Sequence, residues 1–574
     1  MDKKIGKKKT INKHIELGAR RMEKDESDVE SIVNTINSWI PKLYSEDQPL
    51  INLSNGKPAS PVNTTYDRGV SERDLFIGGL VTYRNRESED SSLNYHSKIK
   101  KQVVITFQDK KKAIKPRSIV ADEGESFADI LCRYDGKILD YEFLVRWPIT
   151  KTPWMICDEE EKSRCVSKPV FRNHLQNLNP IKPRTEVTGI SIYIVDAMKI
   201  VRMISPSNMT PSTFETWTVS FYNYINRLPG NVCHIVFDIY SLNKDFAYPS
   251  KGRYNPESVG ERRYISDLSQ QLPFTIAAWN NYLSNDQNKR ELTNLMIDYL
   301  IGGKYKFNRP VYVTKEKKSF LIQNGTSTDV PELFSNHKEA DPRLALHAVY
   351  ASSIAPNEAV CVVCDDTDVF IILLSIATQM KGDLFFRQGR STGKGLEYHN
   401  VRSLAEKLGD ECCKNLPAFH ALTGCDFTYP FYRRSKYQSF VNMMNLKNSK
   451  SRRNSVGLLD SLGTLEPDVK KISDFVIHTM YNRPIKENSL SESRSAMLFV
   501  KQKGKKRFRS TTQIPPDENS LKMKILRCNL IAYGWRNCLN ERYEPLDPCQ
   551  SGWFIRDGFM HPIWYNGSNL PTDE

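Results

Sequence analysis

The stretch AVCVVCDDTDVFIILLSIA, residues 359–377, decides the fold. A run of small and β-branched residues from Ala359 to Cys364 meets Asp365, Asp366 and Asp368, and an apolar run resumes at Val369. The first part has the composition of a strand buried on both faces, and the second that of a buried helix. Three carboxylates in the middle exclude a membrane span, because hydrocarbon does not accept such groups unpaired. Similar segments occur upstream: SIYIVD ends at Asp196, CHIVFD ends at Asp238, and PVYVT starts at Pro310. Short β-branched strands separated by longer helical segments predict an α/β domain over 186–430, with a mainly parallel central sheet flanked by helices. In such a sheet, side chains at the carboxyl ends of strands converge on the crevice where ligands bind.

The rest of the chain divides by composition. Residues 1–45 are expected to form a basic tail (Lys3, Lys4, Lys7, Lys8, Lys9) and an amphipathic helix carrying Val29, Ile32, Val33, Ile36 and Ile40 at helical spacing. Apolar runs such as QVVITF and EFLVRW between charged loops predict a separate mixed α+β module over 46–185. Residues 431–574 read as a basic, helical C-terminal extension. At 574 residues, two to four domains are expected. A net charge of +15 favours a polyanionic partner such as nucleic acid. The polar opening MDKKIGKKKT lacks the pattern of a signal peptide, so an intracellular protein is expected, nuclear rather than cytoplasmic. Twelve irregularly spaced cysteines argue against a disulfide framework, and Cys361 and Cys364 read as a packed apolar pair rather than a zinc site. His337, His347 and His420 read as capping or core residues.

The chemistry rests on Asp196, Asp238, Glu339, Asp341, Asp366, Asp368 and Asp426. Gathering carboxylates in a low-dielectric crevice is costly unless cations neutralise them. All-oxygen ligands favour Mg²⁺ or Mn²⁺ over zinc, and two such ions about 4 Å apart suit phosphodiester hydrolysis. For any single aspartate, a helix cap or a turn is the simpler explanation.

The order of the acidic blocks resembles that of PIN-like domains and 5′-nucleases of the flap endonuclease and XPG type. Asp196 lies in YIVDAM, Asp238 in HIVFDIY, Glu339 and Asp341 in KEADPR, Asp366 and Asp368 in VVCDDTDV, and Asp426 in LTGCDFTY. The segments EADPR, DTDV and LPAFHALTGCD are also similar to those of a group of multicopy animal proteins. The resemblance implies a two-metal nuclease acting on DNA or RNA. Asp196, Asp238, Glu339, Asp341 and Asp366 are its implied inner ligands, and Asp368 and Asp426 complete the site directly or through water. Lys251, Arg253, Arg262 and Arg263 stand where related nucleases carry an arch over the scissile phosphate, with surface salt-bridging the simpler reading for these four, and Arg433, Arg434 and Lys436 are further expected nucleic-acid contacts. Unlike flap endonucleases, this chain has a long segment before the nuclease-like region and no glycine-rich helical hairpin after Asp426, so duplex and flap specificity are not implied. The alternative is an inactive PIN-like binding or scaffold protein, or one associated with a mobile element.

Overall fold

The structure, a computed structural model, describes residues 19–43, 145–149, 153–157, 168–240, 260–389 apart from 261, 266 and 274, 395–448, 455–484, 489–502, 505–508, 511–556 and 559–567. The chain divides into two units, Met1–Lys112 and Ala113–Glu574. In the first, helix α1 (Ala19–Leu43) is formed, with Val29, Ile32 and Val33 exposed. The lysine cluster before it, the QVVITF run and Lys251 and Arg253 lie outside the described residues. No described helix is long and apolar enough to cross a membrane.

The second unit is built on one eight-stranded sheet. Helix α2 (Lys168–Leu178) leads to β1 (Ile190–Asp196), α3 (Ala197–Met203), α4 (Phe214–Arg227) and β2 (Val232–Val236). Next come α5 (Ile276–Leu283), α6 (Asp286–Ile301), β3 (Val311–Lys315), β4 (Lys318–Gln323) and β5 (Thr326–Asp329). Helix α7 (Ala340–Ile354) precedes β6 (Ala359–Val363), α8 (Thr367–Ile376), β7 (Leu384–Gln388) and β8 (Glu397–Asn400). The strand order is β5-β4-β3-β2-β1-β6-β7-β8. Pairing is parallel from β3 to β7, while β4, β5 and β8 are antiparallel at the edges.

Side-chain alternation explains why the central strands are apolar throughout. Ile192 and Ile194 of β1, with Val360 and Val362 of β6, enter one core. Tyr193 and Val195, with Cys361 and Val363, enter the core on the other face. The second core is closed by α3, α4, α5 and α6. Cys361 and Cys364 accordingly sit in different cores.

The first core runs across both expected domain boundaries. After β8 follow α9 (Val401–Leu408), α10 (Asp410–Thr423), α11 (Lys436–Asn448), α12 (Val469–Phe475), α13 (Leu490–Leu498) and α14 (Glu518–Arg536). Phe440, Phe475, Leu498 and Ile525 from these C-terminal helices share one cluster with Phe171 and Leu175 of α2 and with Val145 and Ile149. Helices α8 and α10 provide the physical reason. Val369 to Leu374 of α8 are buried on every side, with α2 and α10 among its covers, and α10, buried from Asn415 to Thr423, is covered in turn by α14; each buried apolar side chain gains roughly 1.5–3 kcal/mol. Residues 145–185 and 431–567 therefore contribute described parts to the sheet's own core rather than standing as separate layers.

Candidate metal centre at the sheet reversal

Strand β1 lies between β2 and β6, so the strand order reverses there, and the carboxyl ends of β1 and β6 bound the crevice. Asp196 ends β1 and caps α3, its carboxylate accepting from the backbone N–H of Met198 at 2.9 Å and Lys199 at 3.2 Å. Asp366 follows β6 and caps α8, accepting from the N–H of Asp368 at 3.0 Å. Carboxylates suit these positions because a helix N-terminus carries partial positive charge. The Cys364 thiol joins the two, donating to Asp196 Oδ2 and accepting from the Asp366 N–H, both at 3.4 Å. Burial pushes this thiol well above its usual range, and Asp196, Asp366 and Asp341 add to the effect.

A second cluster forms where β2 ends. Asp238 accepts from the N–H of Ala340 at 2.7 Å and from the Tyr240 hydroxyl at 2.9 Å, tying the strand to the start of α7. Glu339 occupies the N-cap position of α7, and Asp341 lies buried in its first turn. Arg343, fully buried on α7, donates to the Phe237 carbonyl at 2.8 Å. Burial lowers its guanidinium to about 10, with Asp238 opposing the shift. The Tyr240 phenol is pushed well up by burial, then by Asp238 and Glu339.

Among the described residues, Asp366, Asp368 and Asp426 form a compact acidic group, with ligand oxygens within 4.8 Å of one another. Lys168 stands among them, its Nζ 3.3 Å from Asp366, 3.0 Å from Asp368 and 2.7 Å from Asp426. Phe171 and Leu175, buried one and two turns along α2, fix that lysine. Asp368 is fully buried and accepts from His420 Nε2 at 2.8 Å. On the other side of the ring, Lys436 Nζ reaches His420 Nδ1 at 2.7 Å, the His420 carbonyl at 3.1 Å and the Gly424 carbonyl at 2.5 Å. With the lysine donating to Nδ1, His420 carries its proton on Nε2 and presents it to Asp368. Burial lowers His420 to about 4, with Lys436 adding to the shift and Asp368 opposing it. Burial likewise lowers Lys436 to about 7. Gly424, at φ +106°, ends α10 and turns the chain toward Asp426.

Of the seven carboxylates, Asp366, Asp368 and Asp426 form the compact trio among the described residues, and Asp196, Asp238 and Asp366 each accept from the N–H groups of helix starts. The basic residues divide between pairing within the fold and exposure. Arg262 pairs with Glu291, bonds Asn288 at 2.9 Å and covers the Tyr264 ring. Arg434 donates to the Gln513 carbonyl at 2.6 Å and lies over the Tyr481 ring, and Lys436 is buried. These three serve the fold, while Arg263 and Arg433 remain exposed. His347 belongs to the core, where its Nδ1 lies 2.9 Å from that of His234. His337 bonds the Asn537 carbonyl at 3.0 Å. Lys168 escaped the sequence reading, as did the parts that Cys364 and His420 play.

The trio offers only carboxylate oxygens, a donor set that fits a hard divalent cation once the Lys168 ammonium withdraws. No protein-family model and no curated protein matches this chain.

Proposed function

We propose that this chain is a metal-dependent nuclease hydrolysing DNA or RNA phosphodiester bonds, on a sheet of the PIN-like or 5′-nuclease type. The observation that supports this reading best is the trio of Asp366, Asp368 and Asp426 within 4.8 Å, beside the crevice at which the strand order reverses. Divalent ions held by such carboxylates polarise phosphoryl oxygens and lower the pKa of bound water. The chain's own residues prepare that chemistry. His420, backed by Lys436, holds one oxygen of Asp368, and Cys364 holds one oxygen of Asp196. The N-termini of α3 and α8 direct partial positive charge at the crevice, which suits an approaching phosphate. Lys168, once it leaves the trio, offers a full positive charge to the same phosphate. The net charge of +15 favours a polyanionic substrate.

The test is cleavage of labelled single-stranded, duplex, flap and hairpin DNA and RNA with Mg²⁺ or Mn²⁺, against EDTA and an Asp366→Asn protein. Asparagine preserves the cap of α8 while removing the charge. Metal-dependent cutting by the wild type and loss of cutting in the variant are expected, and equal cutting by both refutes the assignment. A second reading, a binding or scaffold module without catalysis, is favoured by one observation: the Lys168 ammonium already stands where a cation would sit in the trio. Salt-sensitive nucleic-acid binding with no cutting under any metal would select it.

A further inference from the structure

We propose that the cavity beside Glu339 and Asp341 receives one unpaired nucleobase of the substrate strand, a specificity device that rests on the nuclease reading. The cavity measures about 610 Å³, inside the range of roughly 300–1,000 Å³ typical of small-ligand sites. Glu339 and Asp341 form part of its wall, so the cavity adjoins the acidic residues at the start of α7. Most of the remaining wall is apolar. Phe427, the residue after Asp426, contributes to it with Trp535 and Tyr543.

That aromatic wall is preformed. Tyr543 stacks on His337 with ring centroids 4.4 Å apart and planes at 12°. Its backbone N–H donates to Asn336 Oδ1 at 3.0 Å, and its carbonyl accepts from Asn336 Nδ2 at 2.5 Å. Gly534 keeps the space beside it open, since a Cβ there would stand 3.2 Å from the Tyr543 hydroxyl. Exposed Lys317 and half-buried Lys338 set positive charge against Glu339, Asp341 and exposed Asp547 in the lining.

This combination selects the occupant. An aromatic wall stacks any base, lysines accompany a phosphate backbone, and Phe427 of the wall directly follows Asp426 of the trio to which the nuclease reading assigns the cation. An apolar peptide uses the aromatic wall but gains nothing from the lysines or the acids. A base stacked within a duplex cannot enter, so the nucleotide must be unpaired, as in a single strand, a bulge or a flap.

The experiment uses the full chain and a single-stranded oligonucleotide in which one abasic position is moved stepwise along the strand. Binding is read in Ca²⁺ and cutting in Mn²⁺, and 2-aminopurine replaces each base in turn to report its environment. One position is expected at which the abasic change weakens binding about tenfold or more, the scale of one lost base–aromatic stack. At that position 2-aminopurine fluorescence changes on binding, and a Leu546→Trp substitution that fills the cavity abolishes both effects. Should Leu546→Trp fail to fold, the abasic scan on the wild type decides alone. A scan with uniform losses or none overturns the proposal, and if Mn²⁺-dependent cutting persists the nuclease reading survives. A position-specific loss without any cutting supports the base receptor while removing the nuclease assignment.

Discussion

Replacing Lys168 by methionine removes an ammonium shared by Asp366, Asp368 and Asp426 while retaining a stem of similar length. Breaking a buried ion pair by deleting one partner costs about 3–5 kcal/mol. Here the lysine side chain is 13% exposed and Asp368 fully buried, but Asp366 and Asp426 are 22% and 29% exposed. Their access to water reduces the expected loss to about 2–3 kcal/mol. At about 2 °C per kcal/mol for a unit this large, Lys168→Met should melt about 5 °C below the wild type in EDTA. A divalent cation then replaces the missing charge. At a hundred times its Kd it restores roughly 2.7 kcal/mol, and it no longer competes with an ammonium. Thermal melting across a Mn²⁺ titration should therefore show a larger upward shift, beginning at lower Mn²⁺, for Lys168→Met than for the wild type. If the variant melts with the wild type in EDTA and responds equally to Mn²⁺, the lysine is not the internal counter-ion of this site.

Further outcomes follow from the groups around the trio. His420→Ala removes the imidazole donor from fully buried Asp368, which should cost about 1–3 kcal/mol and weaken Mn²⁺ binding roughly 10–100-fold; His420→Gln should recover part of both, and a paramagnetic-resonance titration that places all three proteins at one affinity refutes the positioning role. Lys436 has its folded pKa pushed down to about 7, so between pH 7 and about 10 the unfolded chain holds the extra proton and stability rises with pH, by about 1.4 kcal/mol per unit at most. Urea unfolding at pH 7, 8 and 9 should show that rise flattened in Lys436→Met, and parallel profiles would contradict it. His234 and His347 are held neutral by burial, His234 down to about 3, so the unfolded chain takes up protons as pH falls below about 6.5 and stability falls with it. For the pair the slope reaches about 3 kcal/mol per unit, and His347→Leu should lessen it in acid denaturation followed by circular dichroism.

The central strands were legible because their signal is local. Alternate residues of β1 and β6 face two different cores, so both strands must be apolar throughout, and an aspartate closing such a run is conspicuous in one dimension. Lys168 is not conspicuous. Its partners lie about two hundred residues downstream, and no spacing rule joins a lysine at a helix start to them. The basic run from Arg433 misled for a related reason, since composition counts charge without showing what encloses it. Lys436 sits within hydrogen-bond reach of two carbonyls and an imidazole, whereas Arg433 faces water. The expected boundaries at 185 and 430 followed shifts in composition. The packing obeys a different requirement, covering two buried helices in turn: α2 and α10 lie on α8, and α14 lies on α10.

The first core draws on segments near residue 170 and near residue 530 alike, and this bears on how shortened copies of such a gene should be judged. A reading frame that opened after Lys168, or closed before Trp535, would still spell every one of the seven acids in order. Its product would lack the lysine that stands among three of them, or Trp535 of α14, which lies against the His420 ring. Motif integrity and working protein are therefore separable here, and a truncated relative that keeps a perfect acidic signature is expected to be silent.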